Sequence, residues 1–155
     1  MAITKLIHMK ESSSKEKGKH LKNAVCYILN PEKTAGGLYM NSNCGCDADE
    51  IYQGMIQTKK QHGKTWGRQG YHFVISFAPG EATEETAFAV MQDFTDQYLK
   101  DEYDYVYVVH NDKEHIHGHL IFNSLSYSGY KYHYKEGQWK NEIQPVTDSI
   151  CRKYG

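Results

Sequence analysis

His110 to Asn123 reads His-Asn-Asp-Lys-Glu-His-Ile-His-Gly-His-Leu-Ile-Phe-Asn and holds four of the chain's nine histidines. Side chains alternate across a strand, so in an extended segment His115, His117 and His119 share one face, with Ile116, Gly118, Leu120 and Phe122 on the other. Tyr103–His110, rich in Tyr and Val, is expected to be the partner strand. His115–Asn123 is then the second strand and Asn111–Glu114 the turn. With His110 opposite His115, directly paired residues point the same way, and all four imidazoles gather on one side of the sheet. Two histidines at i and i+2 lie roughly 6.5–7 Å apart at Cα. Their rings can reach one ion through metal–nitrogen bonds of about 2.0–2.1 Å, the zinc value. A third imidazole from the paired strand completes a facial set with positions open to water or substrate, as Lewis-acid catalysis requires. A lone histidine is ordinarily a surface or satisfied core residue; His-x-His facing another histidine is what points to a metal. Four imidazoles exceed a triad's need, and geometry does not choose among them. His115, at the turn edge, is the candidate for a supporting rather than a ligating place. Asp112 and Glu114 are either ordinary turn acids or groups that orient an imidazole or act as a base.

These residues need a scaffold, and the rest of the chain supplies one. Ile3–Met9 reads as a first strand. Ser12, Ser13 and Ser14 offer caps for a helix over Glu16–Leu29, with Leu21, Val25, Ile28 and Leu29 at apolar spacing. Pro31 stops it, because proline disfavours a helical residue before it. Ala35–Asp47, rich in Gly, Asn and Ser, reads as a loop or short hairpin around Leu38–Met40. Asp47 caps a second helix over Ala48–Gln61. Gly70–Phe77 is a strand ended by Pro79 and Gly80. Thr83 opens an acidic helix over Glu84–Lys100, with Glu81 and Glu85 near its positive end. Tyr127–Tyr134 reads as a short strand around Gly129, and Val146–Tyr154 as a last helix that belongs to a longer protein. A tight turn between sequential central strands requires antiparallel pairing. The sum is an α+β fold: a two-layer sandwich, with helices packed on a mainly antiparallel central sheet.

Composition narrows the class. At 155 residues the chain fits one domain. No window approaches the roughly 20 apolar residues of a membrane span, and no apolar leader run opens the chain. Cys26, Cys44, Cys46 and Cys151 show neither disulfide-framework nor zinc-ribbon spacing, so a reducing cytosol is the expected setting. Cys44-Gly-Cys46 reads as a turn with small residues. Net charge is only −1, but it is unevenly spread. Residues 1–68 carry 11 Lys/Arg against 6 Asp/Glu, and residues 81–114 carry 2 against 10. The acidic stretch is mostly one solvated helix face. The basic stretch, with Lys15, Lys17, Lys19, Lys22 and Lys33, is suited to a phosphate backbone. Lys59, Lys60, Lys64 and Arg68, around a second basic loop, read either as a plain solvated loop or as further contacts to a phosphate backbone.

Three segments, in order, resemble the motifs of the relaxase/mobilisation nuclease family, the conjugative branch of the metal-dependent His-hydrophobe-His endonucleases. Asn23–Thr34 ends in Asn-Pro-Glu-Lys-Thr after Tyr27 on an early helix. Tyr71–Glu81 ends in Ser-Phe-Ala-Pro-Gly-Glu, and His110–Asn123 is the third. The resemblance implies that His110, His117 and His119 bind a divalent cation, Mg²⁺ or Mn²⁺. It implies Tyr27 as the nucleophile that attacks a DNA phosphodiester at an origin of transfer, leaving a 5′-phosphotyrosyl link and a free 3′-hydroxyl. It also implies single-stranded DNA, accessory relaxosome proteins and a secretion coupling protein as partners, without membrane insertion. The expected location is the bacterial cytoplasm, with translocation alongside DNA into a recipient cell. Residues 1–155 would be the nicking domain, the N-terminal part of a longer protein. One departure is Gly118, where the name-giving motif has a bulky hydrophobe.

The chemistry agrees with that assignment. A phenol titrates near 10 and is a weak nucleophile at neutral pH unless a base or local charge assists. Positive charge at a phosphate oxygen stabilises the transition state. Among thirteen tyrosines, Tyr27 is singled out by the resemblance; Tyr39, Tyr52, Tyr71 and Tyr127 read as packing or base-stacking residues. His72 reads as a structural histidine or, alternatively, as a support near the site, such as one that holds phosphate. Two other readings are carried forward: a rolling-circle replication initiator or transposase with the same chemistry, and a non-catalytic metal- and DNA-binding module. A metal-dependent oxygenase of the double-stranded β-helix type would need more strands and fewer helices.

Overall fold

The computed structural model describes residues 3–9, 18–31, 39–111, 115–135 and 137–154. The described residues form strands β1 (Ile3–His8), β2 (Met40–Ser42), β3 (Gly70–Ser76), β4 (Tyr103–His110) and β5 (His117–Ser126), with helices α1 (Lys19–Ile28), α2 (Ala48–Gln61), α3 (Glu84–Leu99) and α4 (Gln144–Tyr154). Every neighbouring strand pair is antiparallel, in the order β1-β3-β5-β4-β2. The expected α+β sandwich of sheet and packed helices is therefore observed. The histidine strand β5 is its centre, flanked by β3 and β4.

Strand parity sorts the core. Phe73, Ile75, Tyr107, Val109, Leu120 and Phe122 pack with Val90, Met91 and Phe94 of α3 and Ile150 of α4. Val106, Val108 and Ile121 point the other way, against Leu21, Val25 and Ile28 of α1 and Ile51, Tyr52 and Met55 of α2. The helix starts follow their caps: the Asp47 side chain accepts from the Glu50 amide at 2.9 Å, and Thr83 Oγ1 from the Thr86 amide at 3.1 Å.

Several expectations are corrected. The glycine-rich stretch contains β2, a three-residue edge strand on β4, too short for alternation to register. Residues 127–134 form no strand. Gly129, at φ 88°, turns the chain after β5, and a single bridge joins Leu125 to Lys131. The last helix begins earlier, with a π-helical turn at Trp139–Ile143 running into α4. The hairpin register also differs: His110 lies opposite His117, not His115, and β5 starts at His117. A shift of two residues preserves parity, so the histidines keep their face. The turn acids Asp112 and Glu114 lie outside the described residues, as do Ser12–Ser14, Lys15, Lys17 and Lys33.

Gly118 has a packing reason. It faces the α3 side, where a Cβ would lie 2.2 Å from Met91 Sδ, and Met91 is fully buried. A core neighbour thus supplies the apolar bulk that the resembling motif carries on the strand. Gly118→Val is expected to destabilise the fold by about 1–3 kcal/mol through overpacking. Met91→Ala in the same chain should relieve part of that loss. Urea-unfolding midpoints of the single and double variants check this.

Candidate active site

On the α1/α2 side of the sheet, register brings residues of three strands into rows. Ser76, His117 and His110 form one row; Val74, His119 and Val108 form the next; His72, Ile121 and Val106 form the third. His117 and His119 are half-buried, His110 and His72 are buried, and His115 is exposed just before the strand. Ring centroids are 4.3 Å apart for His110 and His119, and 6.4 Å for His117 and His119. His115 touches the group only through His117, at 6.0 Å.

Each imidazole of the implied triad has one nitrogen engaged by a different part of the fold. His110 Nε2 lies 2.7 Å from the Ile28 carbonyl oxygen. A carbonyl only accepts, so this nitrogen carries the proton. The bond also satisfies one of the carbonyls left over at the end of α1. His119 Nδ1 is 2.8 Å from His72 Nε2, and His117 Nδ1 is 3.2 Å from Ser76 Oγ. Burial, and secondarily the neighbouring His110, push the His72 pKa down to about 4, so this ring is neutral at physiological pH. Sequence reasoning placed His72 near the site but missed Ser76. Its signal was parity, since His72, Val74 and Ser76 alternate onto the face that carries the histidines.

The donor set suits a divalent cation. Imidazoles sharing one ion at right or tetrahedral angles through bonds of about 2.0–2.1 Å hold their centroids roughly 4.5–5.2 Å apart; His110 and His119 are close to that, and His117 stands wider. Among the described residues, no three metal-ligating side chains already surround a common point. Ring rotation would have to bring them there. Held outer nitrogens are what such ligands usually have.

Tyr27 stands on the last turn of α1 with its side chain 51% exposed, so it is not a core residue. Its ring meets His110 edge-on at 6.3 Å. The other singled-out tyrosines pack or bond internally: Tyr52 and Tyr71 are buried, Tyr39 donates to Glu85, and Tyr127 donates to Asp104.

The basic candidates scatter. Lys22 is exposed on α1, with its ammonium 5.7 Å from the Tyr52 ring centroid. Lys60 is exposed at the end of α2. Lys64 donates to the Gly129 carbonyl at 2.7 Å, and Arg68 lies over the Tyr71 ring. These last three precede Gly70, whereas His110 and His117 sit level with Ser76 and His119 with Val74, roughly 13–20 Å further along β3.

Lys59 is a correction. It is 1% exposed, has no hydrogen-bond partner at Nζ among the described residues, and cannot serve as a surface DNA contact. It follows Ile51, Tyr52 and Met55 on the buried stripe of α2. Burial pushes its pKa from 10.5 down to about 7, against a partly restoring pull from Asp104. Between those values the unfolded chain binds the extra proton, so stability should rise with pH from about 7 toward 10.5. Urea titrations across that range should show this rise diminished in Lys59→Met.

The central strand of the antiparallel sheet thus carries histidines on one face, beside an exposed tyrosine at the end of an early helix. Residues 27–155 match the family model described as "Relaxase: MobA/VirD2-like, nuclease domain", and the chain belongs to that family. Among curated relatives, a Staphylococcus aureus protein named "Protein rlx" is 28% identical over 155 residues, covering 100% of this chain and 44% of the relative. The "Group II intron-interrupted relaxase LtrB" of Lactococcus lactis subsp. cremoris (strain MG1363) is 26% identical over 174 residues, covering 88% of this chain and 31% of its own. The chain thus spans less than half the length of these relatives. No helix among the described residues is long and apolar enough to cross a membrane.

Proposed function

We propose that residues 1–155 are the nicking and strand-transfer domain of a longer conjugative relaxase, acting on single-stranded DNA at an origin of transfer. Tyr27 is the nucleophile, and His110, His117 and His119 are the residues that would hold Mg²⁺ or Mn²⁺. The observation that carries this reading is the juxtaposition of the exposed Tyr27 ring with His110, itself paired to His117 on the central strand. In the reaction, the Tyr27 phenol loses its proton and its oxygen bonds to phosphorus. The P–O3′ bond breaks, and the departing 3′-oxygen takes a proton. The phosphotyrosyl bond keeps one phosphoester in place of another, so the 3′-hydroxyl can reverse the step. When bound, the cation supplies positive charge at a phosphate oxygen. His72 and Ser76 support the reading by holding His119 and His117, and His110 by fastening the helix end that carries Tyr27. Lys22, Lys60, Lys64 and Arg68 stay in the proposal as contacts to flanking DNA, and relaxosome and coupling proteins as partners. A suicide oligonucleotide carrying the nick site should form a protein–DNA adduct in Mn²⁺ and none in chelator. Binding without an adduct in either condition would favour the non-catalytic module.

A further inference from the structure

The rows on the histidine face do not stop at β3. Strand β1 pairs with it so that Lys5 lies opposite Val74, and Ile7 opposite His72. Directly paired residues point the same way, which extends two rows to the sheet edge. Lys5 joins Val74, His119 and Val108, while Ile7 joins His72, Ile121 and Val106. Both edge residues are exposed, Ile7 by 40%. The helices on this face, α1 and α2, pack on β4 and β5, while α4 meets β1 from the opposite face, through the Thr4–Thr147 hydroxyl pair. Histidines aside, Lys5 is the one charged side chain in these rows. Its backbone is two strands from His119, about 9–10 Å by strand spacing.

We infer that the exposed strip of β1 seats the DNA strand beside the scissile phosphate. Lys5 neutralises a flanking phosphate, and Ile7 gives an apolar contact to the neighbouring base or sugar. This rests on the DNA-nicking reading and adds to it a track from the histidines out to the sheet edge. A phosphate contact from Lys5 positions the DNA backbone relative to His119 without reading sequence.

The test uses a fluorescein-labelled, mixed-sequence single-stranded oligonucleotide and the 155-residue protein, titrated at several salt concentrations. One phosphate contact on single-stranded DNA contributes about 0.7 to the slope of log K against log salt. Lys5→Ala should flatten the slope by about that amount and weaken binding several-fold at low salt. Lys5→Arg should restore both, and Lys140→Ala, on the opposite side of the sheet, should change neither. Ile7→Ser should weaken binding without altering the slope. Calorimetric Mn²⁺ affinity should be the same in Lys5→Ala as in the wild type, which separates a strand contact from damage to the histidine site. Wild-type binding with an unchanged slope in Lys5→Ala overturns the inference alone. Failure of the wild type to bind the oligonucleotide at all overturns the nicking reading, and the inference with it.

Discussion

Tyr27→Phe is expected to abolish the covalent DNA adduct and lower strand cleavage by at least about 10³-fold, because no other group takes over a lost nucleophile efficiently. Fold, oligonucleotide affinity and metal affinity should persist. The reason is local. Tyr27 is half-exposed at the end of α1, and phenylalanine keeps the edge contact with His110. Buried tyrosines would behave differently: Tyr71 donates to the Tyr132 carbonyl from inside the core, so its loss would damage stability before chemistry. Unfolding midpoints measured beside cleavage rates separate the two cases. Unimpaired cleavage by Tyr27→Phe would remove Tyr27 from the reaction.

His117→Ala and His119→Ala form the second large effect. Each should weaken Mn²⁺ binding by more than about 100-fold, since a ligand loss exceeds the 10–100-fold typical of losing an outer partner. His72→Phe, which removes the 2.8 Å partner of His119 Nδ1, should fall within that smaller range. His115→Ala should change affinity little, because His115 precedes the strand and meets the group only at His117. Calorimetry with Mn²⁺ measures all four without needing turnover. A His115→Ala loss as large as that of His117→Ala would reassign the ligands. Equal indifference across the set would end the metal reading while leaving the nuclease fold in place.

What was legible in the chain follows from which physical signals are local. Alternation placed the histidines on one face, and Asp47 and Thr83 marked helix starts that depend only on side chain and backbone a few residues apart. Register is set by the path of the connection between strands, so the pairing of His110 came out two residues away. Parity nevertheless kept the face correct. β2 escaped because three residues on a sheet edge carry too little pattern, and its pairing with Val106–Val108 is long-range. Lys59 was legible and misread: its helical spacing from Ile51, Tyr52 and Met55 put it on the buried stripe, but its charge suggested surface. Ser76 and Lys5 are different. They matter only through cross-strand neighbours at His117 and in the His119 row, and a sequence read strand by strand does not display those neighbours.

The most direct measurement is peptide mapping of the adduct formed between this protein and a suicide oligonucleotide in Mn²⁺. After nuclease and protease digestion, mass spectrometry should find the 5′-phosphonucleotide on Tyr27 and on no other tyrosine. The same remnant on a different residue, or an adduct of unaltered yield from Tyr27→Phe, would contradict the proposal that Tyr27 and the histidines of β4 and β5 form one active site.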